Sequence, residues 1–395
     1  MARVSIEHTD KVLDDRAGVR VEAEWGHVSV TLGGGHICEF VSHAHSDLNP
    51  LWRPSWKTVD PGRYRAGEHK EVFGPPPDGA LLAGIAGHSL SFDYFGPPSA
   101  EETAAGMSTH GEAPAAMWEL HRQFGGERPG FDYGATLPVS QIEFVRRLSV
   151  DPERPIFYCE ERARNLSASD RPISWTEHVT IGPPFLRCND TLVDMPGTRA
   201  RAIDASYSGN MEIVPAASFD WPYAPCPNGG TLNLRETPDG HYSRYTAQLI
   251  DHNVETGYIA ASSPSRGLLL LYVFRRADFP WIGNWEECRY RENAPWAGKS
   301  FCRGIEFSST PFSIPKRETV TNGPIFGEPT YRWLAAKSEV TVRFLALLQE
   351  IPADFRGVER VVLEGETLHI QELATSRQLT QRVDPGFLSG GAGGA

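Results

Sequence analysis

Trp175-Thr176-Glu177-His178-Val179-Thr180-Ile181 alternates between two sets of side chains. In an extended strand successive residues point to opposite faces. Thr176, His178 and Thr180 therefore share one face, and Trp175, Glu177, Val179 and Ile181 the other. The stretch follows Asn165-Leu166-Ser167-Ala168-Ser169-Asp170-Arg171-Pro172, which reads as a turn between two strands. Taken alone, the polar face is equally that of a solvated strand.

The same pattern extends along the chain. Residues 19–32, 142–150, 157–165, 267–274, 339–349 and 360–368 are short apolar-and-polar runs bounded by Gly, Pro, Asn or Asp, the signature of strands. Residues 19–32 alternate on both sides of Gly26-His27, as a hairpin would. Only 113–124 and 331–337 suggest helices. The fold class is therefore all-β, a large antiparallel β-sandwich with a few short helices. No composition break divides the chain, so 1–385 reads as one domain and the Gly/Ala-rich 386–395 as a flexible tail. A second domain starting near 215–230 is the alternative. Pro- and Gly-rich loops are expected at 52–77, 95–113, 219–230 and 279–297, and their Trp and Tyr residues favour functional loops.

The 395 residues include 38 Lys+Arg and 50 Asp+Glu, a net charge of −12. Phosphate binding needs a basic face, so this balance argues against a nucleic-acid partner. The 10 Trp, 12 Tyr and 19 Phe are too many aromatics for a disordered chain. The most apolar run, 267–274, falls short of the roughly 20 residues of a spanning helix, and no membrane partner is expected. Residues 1–8 lack the apolar core of a signal peptide. Cys38, Cys159, Cys188, Cys226, Cys288 and Cys302 contain no CxxC pair, so a reduced, cytoplasmic protein is the expectation.

Two further segments carry candidate chemistry. Ser108-Thr109-His110-Gly111-Glu112 places a His beside a Gly, where backbone or ligand can come close. Cys302-Arg303-Gly304-Ile305-Glu306-Phe307 places one carboxylate between two apolar residues. Alternation turns Glu306 away from Ile305 and Phe307, and a carboxylate in apolar surroundings tends towards a raised pKa and the role of a base.

In order, the segments resemble the aldose 1-epimerase (galactose mutarotase-like) superfamily. Leu32-Gly33-Gly34-Gly35-His36-Ile37 and Asn49-Pro50-Leu51-Trp52 are similar to its opening strands. The run from Gly87 to Gly96, then His110-Gly111 with Trp118 downstream, is similar to its first histidine segment. Asn165-Leu166-Ser167 with Trp175-Thr176-Glu177-His178 resembles the segment of the second histidine. Ser263-Pro264-Ser265-Arg266-Gly267, Trp281 and Gly304-Ile305-Glu306 resemble its closing region. The likeness covers roughly residues 31–312.

The resemblance implies a β-sandwich that interconverts sugar anomers by ring opening, with Glu306 as base, His178 as acid and His110 hydrogen-bonding near the ring oxygen. It implies a small-molecule sugar as partner, no cofactor and no metal; the oligomeric state is left open between monomer and homodimer. Trp281 and Trp285, with Trp52 and Trp56 beside them, are the expected apolar platforms. Arg63, Arg65, Asp251 and Asn284 are the expected partners of sugar hydroxyls.

The chain departs from the family at its arginine segment, which offers only Gly62-Arg63-Tyr64-Arg65, and after the glutamate, where Phe307-Ser308-Ser309-Thr310-Pro311 follows. The substrate is therefore open, and a local Arg63/Arg65/Arg303 cluster is one place an anionic sugar could bind. A sugar lyase using the same residues, or a sugar-binding protein without turnover, are the alternatives. His43-Ala44-His45-Ser46-Asp47 has the look of a metallo-hydrolase opening, with both histidines on one strand face, but Leu48 stands where a further ligand would follow. Cys302 near Glu306 reads as a small buried hydrophobe rather than a nucleophile.

Overall fold

The computed structural model describes residues 4–207 and 212–389. Two antiparallel sheets face each other. The larger runs, in hydrogen-bonded order, through Ser5–Leu13, Arg16–Ala23, Gly26–Thr31, Ile37–Ser42, His88–Asp93, Arg171–Ile181, Phe301–Ser308, Trp281–Cys288, Tyr242–Leu249, Arg199–Ala202 and Ser218–Asp220, with Arg332–Leu334 joined to Arg171–Ile181. The smaller runs through Leu192–Asp194, Thr256–Ser263, Leu268–Arg275, Glu339–Glu350, Ile156–Asn165, Ile142–Val150, Gly130–Leu137 and Glu119–Phe124.

The period of two decides what fills the space between them. Trp175, Val179, Ile181, Ile305 and Phe307 of the larger sheet meet Phe144, Tyr272, Phe274 and Phe344 of the smaller one. Phe274 and Phe307 stack with ring centroids 4.4 Å apart. Leu268–Arg275 is apolar on both faces because both are covered. Its Leu268, Leu270, Tyr272 and Phe274 enter this core. Its Leu269, Leu271 and Val273 instead meet Val361, Leu368 and Ile370 of a three-stranded sheet, Val358–Glu364, Thr367–Glu372 and Gln378–Arg382. No helix of the described residues is long and apolar enough to cross a membrane.

The central core also encloses charge. Arg146 is bonded through Nε to Glu161, and its Nη2 lies 3.2 Å from Glu177 Oε2. His88 Nε2 is 2.8 Å from the same Glu177 oxygen, and Trp175 Nε1 donates to both carboxyls. All of these side chains are buried. Two acids share one guanidinium there, and burial, with the neighbouring Glu177 adding to it against the pull of Arg146, pushes the Glu161 carboxyl up to about 8.

Several local expectations differ from the structure. The hairpin over 19–32 turns at Glu24-Trp25, with Ala23 paired to Gly26. Residues 113–124 form a 3-10 turn, Ala113–Ala115, and then the edge strand Glu119–Phe124. Met117, Leu120 and Phe124 have helical spacing, but pairing with Gly130–Leu137 outweighs it. Likewise 331–337 contains the strand Arg332–Leu334, paired with Arg171–Ile173. The expected loop at 279–297 contains the interior strand Trp281–Cys288. Residues 360–368 span a hairpin, with Glu364 opposite Thr367. Pro385–Ser389 is a short helix with Leu388 buried, where a tail was expected from 386, and 390–395 lie outside the described residues.

Candidate active site

The outer face of the larger sheet, turned away from the core, carries the polar residues. Thr176 pairs with Ser308 and Thr180 with Gly304, a register that sets His178 opposite Glu306. Their side chains meet: His178 Nε2 lies 3.2 Å from Glu306 Oε1. The His178 Nδ1 is 3.1 Å from the Thr180 hydroxyl, two residues along the same face. The imidazole is thus held at both nitrogens.

Glu306 is 1% exposed. Burial raises its pKa above the ordinary carboxylate value, and the nearby His178 charge and a hydrogen bond from Tyr245 oppose that rise. The Tyr245 hydroxyl has one proton and two acceptors in reach, Glu306 Oε2 at 3.3 Å and the Pro311 carbonyl at 3.1 Å. Tyr245 belongs to Tyr242–Leu249, two strands from Glu306, with Trp281–Cys288 between them. It reaches across Gly283. A Cβ on Gly283 would stand 2.2 Å from the Tyr245 hydroxyl and 2.6 Å from Glu306 Oε2.

His110 comes from a loop, not a strand. It has φ of +63°, and Gly111 after it has φ of +77°. A Cβ at 111 would fall 2.2 Å from the Phe92 carbonyl oxygen, so only Gly fits that turn. The His110 Nδ1 accepts the Gly96 amide at 3.3 Å, which leaves the ring proton of the neutral form on Nε2. Burial, and then the charges of His178 and Arg291, hold its pKa well below the usual histidine value. In that neutral form its Nε2–H is free to donate. Its ring lies 5.3 Å from the His178 ring and stacks on Phe95 at 5.4 Å.

These groups line a cavity of ≈ 530 Å³, roofed among others by Trp52, Leu82, Phe95, Tyr290 and Trp296. Aromatic rings form one part of its walls. Trp52 and Trp296 stack within 9° of parallel, and Trp285 stands 5.9 Å from the His178 ring. Arg291 lies over the Trp285 and Trp296 rings at 5.3 and 4.7 Å. Volume, apolar walls and a few convergent polar groups are the features of a small-molecule site.

The structure brings together His178, Glu306, His110 and Trp285 of the residues singled out in the sequence, and Trp52 with them. The others sit elsewhere. Trp281 is buried and donates to the Pro329 carbonyl. Asn284 faces the core, where its carbonyl takes the Arg303 Nε and its amide donates to Glu286. Asp251 holds the Thr198 amide and hydroxyl. Arg63 and Arg65 are exposed and bond to nearby backbone carbonyls.

Arg303 is buried and caps the chain at Leu234 and Glu236, so the three arginines form no cluster. Trp56 packs on Trp52 and Trp296 outside the lining. Cys302 is buried, and burial raises its thiol well above the ordinary value. His43 and His45 lie in a 3-10 turn rather than a strand; His43 faces Glu22 and His45 faces Glu350.

Tyr245 and Arg291 are among the cavity residues that the sequence did not single out. Tyr245 carries no local mark, because only the strand order brings it to Glu306. Arg291, in Arg289-Tyr290-Arg291 between two tryptophans, was the more legible.

No family model matches the sequence, and no curated protein matches it. Solved structures do. A candidate aldose 1-epimerase from Klebsiella pneumoniae superposes with a TM-score of 0.64 at 12% identity, over 89% of this chain and 85% of that one. A galactose mutarotase-like protein from Clostridium acetobutylicum gives 0.58 at 13%, over 88% and 99%. A galactose mutarotase related enzyme from Lactobacillus acidophilus gives 0.54 at 12%, over 85% and 98%. The chain has the galactose mutarotase-like fold. In this mutarotase-like sandwich the cavity lies on the outer face of the larger sheet, and His178 and Glu306 come from its neighbouring central strands.

Proposed function

We propose that the protein is an aldose 1-epimerase, which opens and recloses the ring of a free sugar and so interconverts its anomers. The observation that carries this reading is the His178–Glu306 contact at 3.2 Å in an aromatic-walled cavity. Ring opening needs a proton taken from the anomeric hydroxyl and one given to the ring oxygen. Both oxygens are bonded to the same carbon, so a base and an acid side by side suit them.

Glu306 takes the hydroxyl proton as the bond from the anomeric carbon to the ring oxygen breaks. His178 protonates the departing ring oxygen, leaving an open aldehyde. Rotation about the bond next to the carbonyl presents its other face. The two transfers then run backwards, and the ring closes as the other anomer. His110, neutral with its proton on Nε2, donates towards the same oxygen without exchanging charge. Because no atom fits between Nε2 and Oε1 at 3.2 Å, the sugar lies across the pair with an apolar face towards Trp285.

The test is anomer equilibration of freshly dissolved aldoses, followed by NMR or polarimetry. Acceleration by the protein, reduced about 10²–10⁴-fold in Glu306→Gln and in His178→Asn, is the expected result. Equal acceleration by the parent and both variants would sink the assignment. Sugar binding with no acceleration would make the protein a sugar-binding one instead.

A further inference from the structure

Two arginines are among the residues around the cavity, and one is fully engaged. Arg244 gives Nε and Nη2 to Glu286 and Nη1 to Glu212, and lies over the Tyr242 ring. Arg291 differs. Its Nε faces Glu287 at 3.4 Å, and among the described residues its Nη1 and Nη2 make no hydrogen bond. The side chain is 41% exposed, yet its guanidinium lies over two indoles, at 4.7 Å from Trp296 and 5.3 Å from Trp285, whose planes stand 85° apart.

A guanidinium lodged in the angle between two rings is restrained, and with both terminal nitrogens unbonded it can take a planar carboxylate through two parallel bonds. Trp285 links this edge to the reacting groups, since the same ring that supports Arg291 lies 5.9 Å from His178. A pyranose bound between these groups with its anomeric end at His178 and Glu306 would turn its far end to Arg291.

We infer that the substrate is an aldose carrying a carboxylate, a uronic acid, with that carboxylate on the terminal nitrogens of Arg291. The inference rests on Glu306 and His178 being the acid–base pair. A carboxylate suits the site better than a phosphate for reasons of charge. Only one fork is open, Glu287 lies behind it, and Asp78 is among the lining residues, so a monoanion is accommodated and a dianion repelled.

The experiment compares NMR anomer exchange of D-glucuronate and D-galacturonate with that of D-glucose, D-galactose and their phosphates. The uronates should exceed the neutral sugars in kcat/KM by about tenfold or more, the scale of one charge-assisted bond. Arg291→Gln should bring that ratio close to unity, and Arg291→Lys should restore only part of it. Neutral sugars turned over as well as uronates, or phosphates preferred to both, would overturn the carboxylate inference while leaving the epimerase standing. If no sugar is accelerated, the epimerase reading fails, and calorimetric titration decides the subsite by itself. Tighter binding of D-glucuronate than of D-glucose, weakened in Arg291→Gln, upholds it; equal binding or none rejects it.

Discussion

Glu177 and His178 are consecutive residues that serve opposite sides of one sheet. Glu177 points into the sealed core, 2.8 Å from His88 and 3.2 Å from Arg146, while His178 points into the cavity and meets Glu306. The strand carrying the proposed acid is therefore pinned from beneath by a buried ionic cluster. A shift by one residue would exchange the two side chains and lose both arrangements.

Tyr245 tunes the proposed base. Its hydrogen bond favours the ionised form of Glu306 and so works against the rise caused by burial. For the parent, the acid limb of kcat/KM is expected above the ordinary carboxylate range near 4.3. Activity falls as the pH drops through that raised value, because Glu306 then gains a proton. Tyr245→Phe removes the donor, and the limb should move upward by about 0.5–1 pH unit. An unmoved limb would show that Tyr245 does not act through Glu306.

Gly283 leaves room for that contact. In Gly283→Ala the new methyl displaces either the Tyr245 hydroxyl or the Glu306 carboxylate. Anomer exchange should fall at least about tenfold, with a stability loss of about 1–3 kcal/mol from overpacking. Denaturant unfolding alongside the rate assay separates the two effects. A fully active variant would mean that the carboxylate has another productive position.

Trp285 has no titratable group, so its truncation should show in binding rather than chemistry. Trp285→Leu should raise KM about 3–10-fold, the equivalent of one aromatic contact, with a smaller change in kcat. A fall in kcat at constant KM would instead place the ring among the groups that act only in the transition state.

The buried cluster makes stability depend on pH. Glu161 has its folded pKa pushed up to about 8, above the unfolded value near 4.3. With the folded value the higher, its stabilising contribution is complete below the unfolded pKa and is lost as pH rises towards about 8. The Tm should decline over that window, and Glu161→Gln, which keeps an acceptor for Arg146 and a donor for Glu177, should flatten the decline. Thermal unfolding of both proteins from pH 5 to 8 checks this, and parallel curves would count against the assignment.

The sandwich was legible because its strands alternate cleanly. Residues 142–150 read as a strand and form one with those bounds, and the faces assigned to 175–181 are the ones observed. Strands were missed where a local signal pointed elsewhere. Pro280 and Gly283 made 279–297 look like a loop, yet Gly283 is the residue an interior strand needs for Tyr245 to pass over it. Trp281 and Asn284 were singled out by residue type and Asp251 by resemblance, but each is consumed by an internal hydrogen bond.

By itself the sequence determined the period of two, and with it which side chains share a face, because strand geometry is local. That put Glu306 away from Ile305 and Phe307, and His178 away from Glu177. Only the tertiary structure decided which faces meet. The pairing of Arg171–Ile181 with Phe301–Ser308 joins residues more than a hundred positions apart, and no local preference encodes such a register. Tyr245 beside Glu306 follows likewise from the pairing of Tyr242–Leu249 and Phe301–Ser308 with Trp281–Cys288 between them, where the free energy resides in contacts between segments rather than within any one of them.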